Sequence, residues 1–324
     1  MRIDKEKIKT ILVISLSNIG DVILTTPVID SLSKEFPQRS IDVIVGPKAE
    51  EIFRTSSLVR DTIVYDKFSP LRHKFRLIKK LRSRGYDLVI DLRNCLIPFL
   101  IRPRYRTSIK PDKDRSINYM KDTHLNKLKE IGIDTEGADF SIEIRESHKQ
   151  YANSLLKPLK DEDNLASIAP GAASDNKRWM IEGFIEVARR LIDSFALKII
   201  LVGDKDDFNL AKKIEDRFPK KVLNLCGKTS IIELAAVLKN TKFLISNDSA
   251  PMHLATAINL PVIAIFGPTN HKKYGPRRKD DYIIRKDLEC SPCEAAQCRY
   301  NHECLKLIKP DDVIEKVSLL IKKR

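Results

Sequence analysis

The chain has 324 residues, of which 42% are hydrophobic and 32% charged, and a formal net charge of +15. That length suits two domains better than one core, and the composition excludes a disordered chain. No apolar run reaches the length of a membrane span, and the charged start leads into a short apolar run with no cleavage pattern, so a cytoplasmic protein is expected.

Apolar runs and helical spacings alternate from the start. Residues 10–16 predict a buried strand, and 23–36 a helix that ends before Pro37. A strand at 41–45, a short helix at 49–56 and a strand at 61–65 follow. Next come a basic helix at 71–84, stopped by Gly85, and a strand at 87–91. The pattern weakens over 105–117, resumes as a helix at 121–131, gives a strand-like run at 140–144 and then a helix at 147–156. Polar residues 158–164 read as a linker, which divides the chain into domains 1–160 and 161–324.

The second half repeats the alternation. Strands are expected at 167–169, 197–202, 222–225, 243–245 and 261–266, with helices at 181–192 and 231–239 and a last amphipathic helix at 310–322. Repeated strand–helix–strand units imply parallel sheets covered on both faces, so the fold class is α/β with two halves facing one another and ligands between them.

The richest stretch is Ser246-Asn-Asp-Ser-Ala-Pro-Met-His253, which follows an apolar run and precedes another. A strand tip opening a helix offers free backbone N–H groups and a positive dipole end, which suits a phosphate. The blander alternative is that Asp248 or Ser249 only caps the helix. Nearby, residues 261–266 end in Gly267-Pro268, a second such tip.

The turn Ala169-Pro-Gly-Ala-Ala-Ser-Asp-Asn-Lys-Arg-Trp179 also follows a strand and holds the chain's only tryptophan. Backbone around Gly171 with Lys177 or Arg178 could cradle a diphosphate without a metal. In the first half, Gly20 allows a tight turn after the first strand, and Asp21 then opens a helix at the strand's tip. There it is either a general base or a helix-capping acid. G-x-G-x-x-G is absent, and Gly227-Lys-Thr229 lacks the earlier glycine of a phosphate-binding loop.

Charge and cysteine are unevenly spread. Between residues 67 and 110 thirteen Lys/Arg stand against Asp87 and Asp91, a composition that attracts anionic saccharide, lipid headgroups or nucleic acid, or else a solvated helix face. The aromatic content of 6% offers few stacking platforms for nucleic acid, so no nucleic-acid partner is expected. Cys95 and Cys226 read as core residues. Cys290, Cys293, Cys298 and Cys304 have a spacing that suggests a structural zinc or iron–sulfur cluster, or a reduced cysteine-lined turn.

Together these motifs resemble glycosyltransferase family 9, the lipopolysaccharide heptosyltransferases. The resemblance rests on Ile19-Gly-Asp-Val22 with Thr26-Pro27, on Tyr86-Asp-Leu-Val-Ile-Asp-Leu92 and on Ala169-Pro-Gly171 with Lys177-Arg-Trp179. It rests also on Leu201-Val-Gly203, Asn247-Asp-Ser-Ala-Pro-Met-His-Leu-Ala255 and Phe266-Gly-Pro-Thr269. The cysteine-rich end looks like that of the second heptosyltransferase type. The resemblance implies a GT-B fold of two Rossmann-like domains. It implies inverting transfer of heptose from ADP-heptose to a Kdo/heptose–lipid A core, with no cofactor needed for catalysis. A related nucleotide sugar and another surface glycan are the alternative, as is a non-catalytic anion-binding relative. It implies Asp21 as the base and Gly171, Ser174, Lys177, Asp248, Ser249, Ala250 and His253 around the donor. The basic segment, with Arg102, Arg104 and Arg106, would face the acceptor, and the enzyme would sit peripherally on the cytoplasmic face of the inner membrane. Ser249-Ala250 departs from the family's usual Thr-Gly, and Ala172 and Ala173 replace frequent hydroxyl residues.

Overall fold

The structure is a computed structural model and describes residues 3–108, 119–159 and 164–323. The chain divides into two compact units, residues 1–143 and 144–324. The division falls earlier than the expected 160. The helix Glu146–Leu156 belongs to the second unit because it packs on the helix Ile231–Leu238, burying Ala152 and Leu156, and Tyr151 Oη donates to the Lys228 carbonyl at 3.0 Å. The expected linker lies mostly at 160–163, outside the described residues.

The first unit is built on β1 (Thr10–Ser15), β2 (Ser40–Val45), β3 (Asp61–Val64), β4 (Leu88–Asp91) and β5 (Tyr105–Arg106), in the order β3-β2-β1-β4-β5. All pairs are parallel. Central strands buried on both faces need apolar side chains throughout, which is why Ile11 to Ile14 are fully buried. Two buried acids break this rule, Asp91 at the tip of β4 and Asp42 within β2. Asp42 on β2 is fully buried and receives two hydrogen bonds from Arg60 and one each from Arg84 and Tyr86. Burial works to raise its pKa, but those partners win and hold it below the usual carboxylate range.

Two local readings change. The helix expected at 23–36 is two, Ile19–Ile23 and Thr26–Glu35. Pro27 has no N–H to continue the ladder, and the Thr25 hydroxyl donates to the Val22 carbonyl at 2.6 Å, closing the first helix. Gly20 therefore lies inside a helix rather than forming the turn. The strand-like run at 140–144 is not a strand. Its amides go instead to side chains, Phe140 to Asp139 and Ser141 to Thr26. The weak stretch at 105–117 holds β5 and then passes outside the described residues at 109.

The second unit holds β6 (Leu165–Ala169), β7 (Lys198–Leu201), β8 (Val222–Asn224), β9 (Leu244–Asn247), β10 (Val262–Ile265) and β11 (Tyr282–Ile284), ordered β11-β10-β9-β6-β7-β8. These pairs are parallel too, and β11 is a strand the sequence pattern did not announce. The helices Ile181–Phe195 and Pro310–Lys322 cover one core with Phe184, Val187, Val313 and Val317. Cys226 is buried in that core, and burial, with Asp207 and Asp204, pushes its thiol up to about 12. Among the described residues no helix is long and apolar enough to cross a membrane.

Candidate functional site

In each sheet the strand order reverses direction at one place. In the second unit the chain leaves β6 toward β7, while β9 lies on the other side of β6. Loops diverge there and open a crevice at the strands' C-terminal ends. The two loops at that point are 170–180, after β6, and 248–249, after β9. They are the two stretches singled out from the sequence.

Their pairing is specific. Lys177 Nζ lies 2.6 Å from Asp248 Oδ2, and His253 Nε2 is 4.0 Å from the other carboxylate oxygen. Asp248 and His253 are buried, whereas Lys177 is partly open. Lys177 ends a single 3-10 turn, Asp175–Lys177, opened by Ser174, whose carbonyl accepts from the Lys177 amide at 3.0 Å. Ser249 stands at the N-cap of the helix Ala250–Ala257 but makes no capping bond; its hydroxyl meets Ser246 at 3.1 Å. So neither Asp248 nor Ser249 is spent on capping by its side chain. The helix start presents the Ala250 N–H and a positive dipole end beside a lysine; Pro251 has no N–H, and the Met252 amide donates to the Ser249 carbonyl at 3.1 Å.

Two further residues shape this place, and sequence reasoning did not single them out. Asn247, fully buried at the end of β9, ties both loops together. Its amide nitrogen donates to the carbonyls of Pro170 (2.8 Å) and Gly171 (3.3 Å), and its oxygen accepts from the Trp179 amide at 3.1 Å. Trp179 is fixed in turn by its indole N–H on the Ile308 carbonyl and by an edge contact with Phe184. Asp207 lies under the loop against Gly171, where a Cβ would come within 1.9 Å of its carboxylate. Burial, with Asp204 nearby, raises the Asp207 pKa, while Arg178 at 4.0 Å pulls it down. Asn247 had a signal in its polar side chain at the end of an apolar strand. Asp207 had none, since its contact is made from another loop.

The cysteine-rich segment braces the same loops. His302 Nε2 lies 2.7 Å from Asn176 Oδ1, and the Asn176 amide donates to the Ala296 carbonyl at 2.6 Å, one residue before Lys177. The Ser291 hydroxyl donates to the Gly267 carbonyl at 2.8 Å, at the tip of β10. Cys290, Cys293, Cys298 and Cys304 line one cavity of about 330 Å³, all as free thiols. Among the described residues no group of three His, Cys, Asp or Glu side chains is arranged to hold a metal ion.

In the first unit the reversal falls between β1 and β4. Asp21 is there, in the helix Ile19–Ile23 just past the tip of β1, with the Ser17 hydroxyl donating to its carboxylate at 2.5 Å. His124 is buried within its electrostatic reach. Burial presses the imidazole down to about 4, Asp21 works the other way, and Lys127 and Arg93 add to burial. The three arginines are not brought to this tip together. Arg104 donates to the Lys7 carbonyl, at the opposite edge of the sheet where β1 begins. Arg106 stacks over the Phe99 ring at 3.8 Å, and Arg102 is exposed in a left-handed conformation after the helix Ile97–Ile101.

Comparison with known proteins bears on this arrangement. The model of glycosyltransferase family 9 (heptosyltransferase) matches residues 74–303. A lipooligosaccharide heptosyltransferase 2 of Campylobacter jejuni serotype O:6 is 33% identical over 177 residues, 53% of this chain and 55% of that protein. The namesake from serotype O:2 is 25% identical over 312 residues, 94% of this chain and 96% of the other. The solved structure of a family 9 glycosyl transferase from Veillonella parvula superposes with a TM-score of 0.83 at 25% identity, covering 98% of each chain. The E. coli ADP-heptose LPS heptosyltransferase II superposes with a TM-score of 0.80 at 22% identity, covering 97% of this chain and 99% of that one. With the greater part of its length matched by the family's model, and with the two Rossmann-like parallel sheets of the GT-B fold, the chain belongs to glycosyltransferase family 9, a family of heptosyltransferase enzymes.

Proposed function

We propose that this enzyme transfers heptose, with inversion, from ADP-heptose to a hydroxyl of the Kdo/heptose inner core carried on lipid A. The observation that carries this reading is the Lys177–Asp248 pair at the start of the helix Ala250–Ala257. Departure of a nucleoside diphosphate builds negative charge on the leaving oxygens. A lysine and a helix N-terminus fixed beforehand stabilise that charge with little reorganisation. Lys177, Ser174, the Gly171 backbone and the start of the helix, Ser249-Ala250, receive the diphosphate in this reading. Asp248 and His253 take the sugar side. Asp21 accepts the proton of the attacking hydroxyl, and the Ser17 hydrogen bond fixes one of its oxygens so that the other faces the acceptor. Since the acceptor is lipid-linked, the enzyme works as a peripheral protein on the cytoplasmic face of the inner membrane.

The reading is tested by a nucleotide-release assay with ADP-heptose, UDP-sugars and GDP-sugars, each with and without a Kdo-bearing lipid A acceptor. Acceptor-dependent ADP release from ADP-heptose is expected. Turnover with only another donor would assign a different sugar, and no turnover with any donor would overturn the catalytic reading.

A further inference from the structure

We propose that the outer faces of the helices Leu71–Ser83 and Ile97–Ile101 form a surface that seats the first unit on an anionic lipid bilayer. The inner faces are already occupied: Leu81, Ile97 and Ile101 are buried in one cluster, with Leu77 and Ile78 packed against it. Other large apolar side chains on the same segments are left in water. Phe68 is 83% exposed, Leu71 71%, Phe75 73% and Leu96 75%. Single exposed leucines are ordinary, but several large ones on two contacting elements mark an interaction surface.

The surrounding charge says what covers it. Leu71 and Phe75 stand four residues apart on one side of their helix, beside the exposed Arg72, Arg76, Lys79 and Arg82. No acid occurs in that helix. The basic residues that serve the fold are others: Arg84 is consumed by Asp42 and Asp61. Two rings carry cations, with Lys67 4.9 Å above Phe68 and Arg106 3.8 Å above Phe99. An apolar body with a cationic rim matches acyl chains below anionic headgroups. Nucleic acid would use the charge but give the outward leucines nothing to enter.

The placement gives this surface a purpose. Phe68 to Phe75 follow the tip of β3, and Leu96 to Leu100 follow the tip of β4, so both lie toward the sheet edge where β1 delivers Asp21. Seating them in a membrane brings Asp21 to the level of a lipid-linked saccharide. That purpose rests on the proposed transferase activity; the binding itself does not.

The experiment is co-sedimentation of the full chain with vesicles of phosphatidylethanolamine and phosphatidylglycerol, against phosphatidylcholine alone, at rising salt. Binding to the anionic vesicles, weakened by salt, is expected. The double variant Leu71→Ser/Phe75→Ser, and separately Leu96→Ser/Leu100→Ser, should each lower partitioning about tenfold with unchanged circular dichroism and thermal midpoint. Turnover on a deacylated, soluble acceptor should stay within about twofold. Equal partitioning of variants and parent would overturn the proposal, as would equal binding to neutral vesicles or retention by RNA without vesicle binding. If no donor is turned over while vesicle binding still depends on Leu71 and Phe75, the membrane surface stands and the transferase reading falls.

Discussion

Asp21 has a single job in the proposed reaction, so its removal has a distinctive signature. Asp21→Asn keeps the shape and the Ser17 contact but takes no proton. Turnover should fall by about a hundredfold or more with the donor KM little changed. A drop confined to donor binding would remove Asp21 from the role of base. Lys177 makes a different prediction because Asp248 already neutralises it at 2.6 Å. An incoming anion must outcompete a buried carboxylate, which a diphosphate with two phosphoryl groups does better than a monophosphate. ADP should therefore bind more tightly than AMP, and Lys177→Ala should erase most of that difference; isothermal titration measures both. Gly171 is constrained by space. A methyl group there meets the Asp207 carboxylate, so Gly171→Ala should cost about 1–3 kcal/mol of stability in urea unfolding, and Asp207→Ala in the same chain should restore part of it.

At the scale of elements, the helix Met120–Lys129 carries a pH liability. His124 is buried with Nε2 lacking a hydrogen-bond partner among the described residues, and its folded pKa is about 4 against an ordinary 6.5. The unfolded chain therefore takes up a proton that the folded one refuses. Stability is full above pH 6.5 and falls as the pH drops toward 4. Between pH 7 and 4.5 His124→Phe should lose about 2 kcal/mol less than the parent chain, measured by urea unfolding at both values. Equal losses would show that His124 titrates normally. Elements of this kind were readable to different degrees. Buried parallel strands announce themselves as apolar runs, so β1, β4, β7 and β10 stand close to their expected places. The run at 140–144 alternates apolar and polar residues as a half-buried strand does, but among the described residues no strand pairs with it. The break between Ile23 and Thr26 depends on a threonine hydroxyl turning back to its own helix, which periodicity does not show.

At the scale of the molecule, the candidate residues were legible and their partnerships were not. Asp21, Lys177 and Asp248 are polar residues at strand tips, and that position is visible in one sequence. That Lys177 faces Asp248, and that Asn247 holds the Pro170 loop, follows from β9 lying beside β6, an order no local pattern encodes. The cysteine cluster was visible in the sequence, but not that its four thiols line one cavity or that His302 reaches Asn176. A fragment comprising residues 144–324 holds both loops of the proposed donor site, and it should unfold cooperatively and gain thermal stability with ADP. A fragment beginning at 161 should not, because it strips Ala152 and Leu156 from the helix Ile231–Leu238.

The seam at Glu143–Ile144 also has a meaning for inheritance. A recombination event there passes on the helix Glu146–Leu156 together with the surface it covers, so each half arrives with its own interior intact. Under the proposed assignment of residues, donor preference and acceptor preference then become separable traits. Chimaeras of family members joined at this seam should keep the sugar choice of one parent and the saccharide choice of the other, whereas chimaeras joined at 160 should be insoluble.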